Sequence, residues 1–185
     1  MKKPLIIALC GKKGVGKDTL FKAVADLGFQ RLSFSDQLKD ICSDVFPWLA
    51  LDYPQGEKDR KQFNSKNGLM SPREVWLSMN VITEIDEDVL VRRLERQMNN
   101  MIAHDQRLFI ITDLRKEEEY RWVRKNGIPI IRIHDFDRRN EDAVEAFLDT
   151  IVGDFDFYNY KNEQSITNFR QLIQEILNDH SSINR

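Results

Sequence analysis

After Pro4 the chain runs through Leu5-Ile6-Ile7-Ala8-Leu9-Cys10 without a polar position. A strand covered on one face alternates apolar and polar residues, whereas a strand covered on both faces does not. Pro4 to Cys10 therefore predicts a fully buried strand. Phe29–Phe34 alternates and predicts a second strand. Arg107–Thr112 and Ile128–Ile133 are again nearly all apolar in their centres, and Asp156–Tyr160 predicts a short fifth. Between them apolar residues recur at helical spacing over Lys17–Leu27, Asp36–Phe46, Pro72–Met79, Asp86–His104, Lys116–Asn126, Glu141–Ile151 and Ile166–Asp179. Ser71-Pro72-Arg73-Glu74 offers a capping serine, a proline at the first helical position and a glutamate to close the box. Glu117, Glu118 and Glu119 favour the positive end of a helix that Gly127 closes. Leu90, Leu94, Met98, Met101 and Ile102 form a stripe facing a core. Strands alternating with helices predict a mostly parallel five-stranded sheet between two helical layers, a three-layer α/β/α sandwich. Residues Pro47 to Met70 break the pattern. They are polar, hold Pro54, Gly56 and Gly68, and read as an insertion, a mobile excursion or a plain loop.

Composition narrows the class. The 185 residues suit one domain, and 41% hydrophobic with 31% charged residues is ordinary for a soluble chain. A formal charge of −2 argues against a general nucleic-acid binder. No apolar run is long enough to span a bilayer, and the basic start passes too quickly into a glycine loop to make a secretory signal. A cytoplasmic location is the expectation. Cys10 and Cys42 make no C-x-x-C pattern, and Cys10 inside the apolar run predicts a buried free thiol.

The first strand ends in Gly11-Lys12-Lys13-Gly14-Val15-Gly16-Lys17-Asp18-Thr19. Gly11, Gly16 and Lys17 match G-x-x-x-x-G-K. Such a loop turns backbone N–H groups inward around a polyphosphate, and glycine permits both the turn and the close approach. The following helix aims its positive end at the same anion. Lys17 would reach the outer phosphates of ATP, with Lys13, Gly14 and Val15 in the cradle. A Ser or Thr hydroxyl usually follows the lysine and holds Mg²⁺. Here Asp18 occupies that position and Thr19 comes next. Asp18 either binds Mg²⁺, directly or through water, or pairs with a nearby Arg or Lys, and Thr19 is placed to meet a phosphate oxygen.

In parallel α/β sheets ligands gather at the carboxyl ends of the strands. After the second strand come Phe34, placed to stack on a base, and Asp36 and Lys39, placed to contact a substrate; the alternative for Asp36 is a helix cap. Arg73 sits in a helix's first turn, where a cation opposes the dipole. A phosphate would explain it, and a solvated arginine is the alternative. Trp76, one turn on, is core or the wall of a base pocket. Asp113 follows the third strand, where an acidic residue organises Mg²⁺, with a helix cap as its plainer role, and Arg115 lies beside it. Arg138 and Arg139 follow the fourth strand as a lid that neutralises charge on a transferring phosphoryl group, or as a solvated turn. His134 reads as structural.

Gly16-Lys17-Asp18-Thr19, Phe34-Ser35-Asp36-Gln37-Leu38-Lys39, Ser71-Pro72-Arg73-Glu74 and Thr112-Asp113-Leu114-Arg115-Lys116-Glu117-Glu118-Glu119 with Gly127 occur in this order, and Tyr160-Lys161-Asn162 precedes the last helix. In these segments, over most of its length, the chain resembles the phage-type deoxynucleoside monophosphate kinases. It departs from them in having Leu114-Arg115-Lys116 without a following Asn, and no glutamine after the Pro-Arg-Glu helix start; both departures bear on the base recognised. The resemblance implies a single P-loop NTPase domain. Within it an NMP-binding insertion would lie at about 47–105 and a short lid at about 135–142. It implies transfer of the ATP γ-phosphoryl group to a (deoxy)nucleoside monophosphate, with ATP and Mg²⁺ as cofactors. It further implies a small-molecule partner, no nucleic acid and no membrane, and leaves a homodimer open. On that reading Lys17, Asp113, Arg138 and Arg139 act in catalysis, Asp18 and Asp113 hold the metal, and Phe34, Asp36, Lys39, Arg73, Trp76 and Arg115 bind the acceptor. The rivals are another small-molecule kinase of the same fold, such as a dephospho-coenzyme A or phosphomevalonate kinase, and a non-catalytic nucleotide-binding protein. The second would carry Asn-Lys-x-Asp or D-x-x-G, and neither segment occurs.

Overall fold

A computed structural model describes residues 3–54, 56–66, 68–135 and 146–183. The chain divides into two compact units, residues 1–33 with 95–185, and residues 34–94.

The first unit carries β1 (Leu5–Cys10), α1 (Lys17–Lys22) and β2 (Gln30–Leu32). The sheet continues with β5 (Leu108–Leu114), β6 (Ile130–Asp135) and β7 (Phe155–Asn159), with α6 (Glu117–Lys125), α7 (Ala146–Thr150) and α8 (Glu163–Ile183) between and after them. The five strands are all parallel, in the order β2-β5-β1-β6-β7. Pleating sends Leu5, Ile7 and Leu9 to the same face as Ile110, Ile131, Ile133 and Phe157. There they pack on Leu20 of α1, on Val24 just after it, and on Phe169 and Ile173 of α8. Residues of opposite parity, Ala8, Phe109, Ile111 and Ile130, are equally buried, as are Val123 of α6 and Leu148 of α7. The apolar runs without alternation are thus strands covered on both faces, as expected.

Three boundaries shift for local reasons. β5 runs on to Leu114 because Leu114 pairs with Cys10. Between Ala8↔Ile111 and Cys10↔Leu114 the register slips, so Thr112 and Asp113 both stand opposite Leu9. Such a bulge turns the strand end and re-aims its side chains. The first helix stops at Lys22 and gives way to a tighter turn at Ala25–Leu27. α8 starts early because Asn162 accepts a hydrogen bond from the Ser165 N–H at 2.8 Å, and Arg170 ties this helix to the Ala23 carbonyl and to Asp26. Of the helix expected over Glu141–Ile151, residues 141–145 lie outside the described residues.

The second unit contains α2 (Phe34–Val45), the antiparallel pair β3 (Phe63–Ser65) and β4 (Gly68–Met70), α3 (Pro72–Ser78), α4 (Ile82–Ile85) and the start of α5 (Val89–Ala103). Its core is Leu38, Cys42, Leu49, Val75, Trp76 and Leu90. The capping box forms as the sequence predicts. The Ser71 N–H donates to Glu74 Oε2 at 2.7 Å, and the Glu74 N–H to Ser71 Oγ at 3.3 Å. The stretch read as a polar excursion is partly a hairpin. Its three-residue strands are too short to show a period. The unit begins at Phe34 and ends at Leu94, whereas the expected insertion ran from about 47 to 105.

Candidate functional site

The loop from Gly11 to Gly16 leaves β1 at the carboxyl edge of the sheet and enters α1 at Lys17. Two of its glycines are obligatory for different reasons. At Gly11, φ is 146° and a Cβ would lie 2.5 Å from the Ile133 carbonyl oxygen. At Gly16, φ is 91° and a Cβ would lie 2.6 Å from Asn159 Nδ2. That amide donates to the Val15 carbonyl at 2.8 Å. The last strand therefore fixes the loop's shape through Asn159, a residue that no motif in the sequence marks.

Lys17 turns back into the loop. Its ammonium donates to the Gly11 carbonyl at 2.5 Å and to the Lys12 carbonyl at 3.1 Å. The side chain is only 7% exposed. Burial, then the nearby positive charge of Arg115, bring its pKa down to about 8, while Asp113 and Asp18 oppose the shift. A buried cation with a second cation beside it is electrostatically under-compensated, and an incoming polyanion would correct that.

Asp113 is buried at the end of β5 and accepts from Ser33 Oγ at 2.8 Å. Behind it Glu119, 4% exposed, accepts the N–H groups of Arg115 and Lys116 at 2.8 and 3.0 Å. Burial first, then the Asp113 charge, push the Glu119 carboxyl up to about 8. Glu119 was legible only as a residue suited to a helix start. Its second task, tying down the backbone that carries Arg115, needs the fold. At the end of β6, Asp135 accepts from Lys161 Nζ at 2.6 Å. His134 meets Asp156 at 2.6 Å and stacks on Tyr158 with ring centroids 4.8 Å apart. A cleft beside the loop is lined by Gly11, Lys12, Val15, His134, Leu148 and Asp149.

Asp18 is 75% exposed and lies 3.6 Å from the Arg31 guanidinium. That ion pair is one of the two roles open to it. Thr19, Lys13 and Gly14 are exposed and Val15 is buried. Among the described residues no group of three His, Cys, Asp or Glu side chains gathers to hold a metal. Mg²⁺ needs no such cage, since it is held by one or two carboxylates together with phosphate and water. The chain fits ATP with Mg²⁺ on these grounds: a loop closed to any Cβ at Gly11 and Gly16, a buried lysine facing inward, and a buried carboxylate at Asp113.

The other named residues belong to the second unit. Phe34 opens α2 and is 1% exposed, a core position that leaves no free ring face for a base. Asp36 pairs with Lys39 at 3.0 Å, and the Lys39 ammonium sits 5.3 Å from the centre of the Trp76 ring. Trp76 is buried, with Tyr53 against it at 5.9 Å between ring centroids, and its Nε1 has no hydrogen-bond partner among the described residues. Arg73 is held by Asp59, Nε to Oδ1 at 2.5 Å and Nη2 to Oδ2 at 3.3 Å. In the structure the Asp59 carboxylate balances this cation. Arg138, Arg139 and all of the expected lid after Asp135 lie outside the described residues. Cys10 and Cys42 are buried free thiols, and burial raises the Cys10 pKa to about 11.

Neither a protein-family model nor a curated protein matches the chain. Solved structures do. A dephospho-CoA kinase from Campylobacter jejuni is 16% identical over 97% of this chain and 98% of that one, with a TM-score of 0.54. The protein TT1252 from Thermus thermophilus is 14% identical over 96% and 98%, with a TM-score of 0.52. The chain shares their fold, a five-stranded parallel sheet flanked by helices. At such identities the likeness concerns the arrangement of strands and helices, here a parallel sheet with its glycine loop after the first strand. No helix of the described residues is long and apolar enough to cross a membrane.

Proposed function

We propose that the chain is a (deoxy)nucleoside monophosphate kinase, converting ATP and a (deoxy)nucleoside monophosphate to ADP and the diphosphate. The observation that carries the phosphoryl-transfer part is the glycine loop whose buried Lys17 faces its own carbonyls, with Asp113 at the next strand end. The nucleotide acceptor is supported by the order of short motifs in the sequence.

Bound Mg·ATP would supply the phosphoryl group and a cation to draw charge from its oxygens. The chain's own part is positioning and charge. Lys17 exchanges two carbonyl acceptors for phosphate oxygens, which are stronger acceptors because they are charged. Gly11 and Gly16 keep side chains out of the space the phosphates need. Asp113, with one oxygen engaged by Ser33, presents a fixed carboxylate to the metal. Arg115, anchored through Glu119, adds positive potential where negative charge gathers. The acceptor's phosphate oxygen is already ionised, so no strong base is needed, which agrees with phosphoryl transfer by alignment and electrostatics.

The test is ADP formation from Mg·ATP with each common nucleoside monophosphate in turn, with dephospho-coenzyme A in the same panel. The likeness to a dephospho-CoA kinase supports the second reading, that of a kinase for another small molecule. Acceptor-dependent ADP with one or more monophosphates is expected. Turnover with dephospho-coenzyme A alone would favour the second reading, and no acceptor-dependent ADP would end both.

A further inference from the structure

The hydroxyl of Thr112 has no evident use inside the fold. The residue is 2% exposed, and its Oγ1 bonds nothing among the described residues. An unmet buried hydroxyl is destabilising. Valine has the same shape, suits a β-strand at least as well, and would remove the cost. The positions of β5 before it, Leu108 to Ile111, are all apolar.

Its place gives the reason. Ile110 lies on the face where Leu20 packs, and Thr112, two residues on, stands nearer the carboxyl edge. α1 lies against β5 and begins at that edge with Lys17. Thr112 also occupies the bulge opposite Leu9, two residues before the glycine loop starts, and its neighbour Asp113 is the carboxylate of the site. Lys17 and Asp113 are within electrostatic reach of one another.

We propose that the Thr112 hydroxyl is a ligand-binding group whose partner is the water shell of the divalent cation carried by the triphosphate. The inference rests on the nucleotide-binding reading above and adds a residue to it. The alternative partner of similar chemistry is a phosphate oxygen itself.

The experiment measures binding of Mg·ATP, and of ATP in EDTA, to wild type, Thr112→Val and Thr112→Ser by calorimetry. Melting temperatures are taken without nucleotide. Thr112→Val should bind Mg·ATP about tenfold more weakly, the worth of one hydrogen bond. It should bind ATP in EDTA as wild type does and melt no lower than wild type. Thr112→Ser should restore Mg·ATP binding. Unchanged Mg·ATP binding by Thr112→Val overturns the proposal. So does a lowered melting temperature, which would mean that the hydroxyl is satisfied within the chain. An equal loss in EDTA overturns the cation assignment in favour of phosphate oxygen. If wild type itself binds neither form, the nucleotide reading fails, which is distinct from a Thr112→Val variant that matches a binding-competent wild type.

Discussion

Gly16→Ala is the most quantitative test of how the phosphate loop is held. The new Cβ would lie 2.6 Å from Asn159 Nδ2, so one of the two must move. Moving Asn159 breaks its bond to the Val15 carbonyl and disturbs the one its Oδ1 accepts from the Lys161 N–H at 2.9 Å. A buried carbonyl left unmet costs about 1–3 kcal/mol. Holding alanine at a φ of 91° adds about 1–2 kcal/mol. The variant should therefore lose about 2–5 kcal/mol from a total of order 5–15, and stay folded. Asn159→Ala alone should lose about 1–3 kcal/mol. In that background Gly16→Ala meets no amide and should add only the backbone cost, about 1–2 kcal/mol. Urea unfolding of the four proteins, followed by far-ultraviolet circular dichroism, gives the cycle. The double variant should be more stable than the sum of the single effects by about 1–3 kcal/mol. Additivity within about 0.5 kcal/mol would refute the claim that Asn159 constrains the loop at Gly16.

Other consequences can be measured directly. The Lys17 pKa of about 8 means that the ammonium is charged below pH 8 and increasingly neutral above it, so ATP affinity should weaken as pH rises through 8. Binding near that pH should take up protons, detectable as a buffer-dependent calorimetric heat; a flat affinity from pH 7 to 9 would contradict it. For Glu119 the folded pKa is raised from 4.5 to about 8, so its contribution to stability is complete below pH 4.5 and is lost as pH climbs to 8. Glu119→Gln, which keeps one acceptor oxygen, should flatten that part of the stability–pH curve, and an unchanged curve would refute it. Asp59→Ala breaks a solvent-facing pair with Arg73 and should change stability by no more than about 1 kcal/mol. If Arg73 serves the acceptor phosphate, Arg73→Ala should raise the acceptor KM with little change in kcat, and an unchanged KM would remove Arg73 from the site.

Three strands of the sheet could be read from the chain because they are apolar almost without alternation, and α3 and α6 carry recognisable end signals. Leu5–Cys10 and Leu108–Leu114 could be little else, and Ser71-Pro72-Arg73-Glu74 forms the predicted box. The glycine loop was equally plain, since its spacing follows from the backbone's need to approach phosphate. Side-chain partnerships were not legible. Nothing near Asn159 marks it as the partner of Val15 in the loop, because the pairing joins positions 144 residues apart. Glu119 looked like dipole chemistry, and its tie to Arg115 depends on the turn after β5. Phe34 looked like an exposed aromatic after a strand. The helix starts on that residue, which rotates the ring into the core. In the sequence Asp18 reads as a metal ligand or an ion-pair partner, and Arg73 as a phosphate ligand or a solvated arginine. The fold supplies each with a local counter-charge, Arg31 and Asp59.

Of the five strands of this sheet β1 is synthesised before the other four, yet it lies in the middle, between β5 and β6, whose residues begin at Leu108 and Ile130. At the usual pace of translation, those neighbours follow roughly 5–25 s after Leu5-Ile6-Ile7-Ala8-Leu9-Cys10. For that interval a stretch with no polar side chain has nothing to pair with, which makes it a natural client for ribosome-associated chaperones.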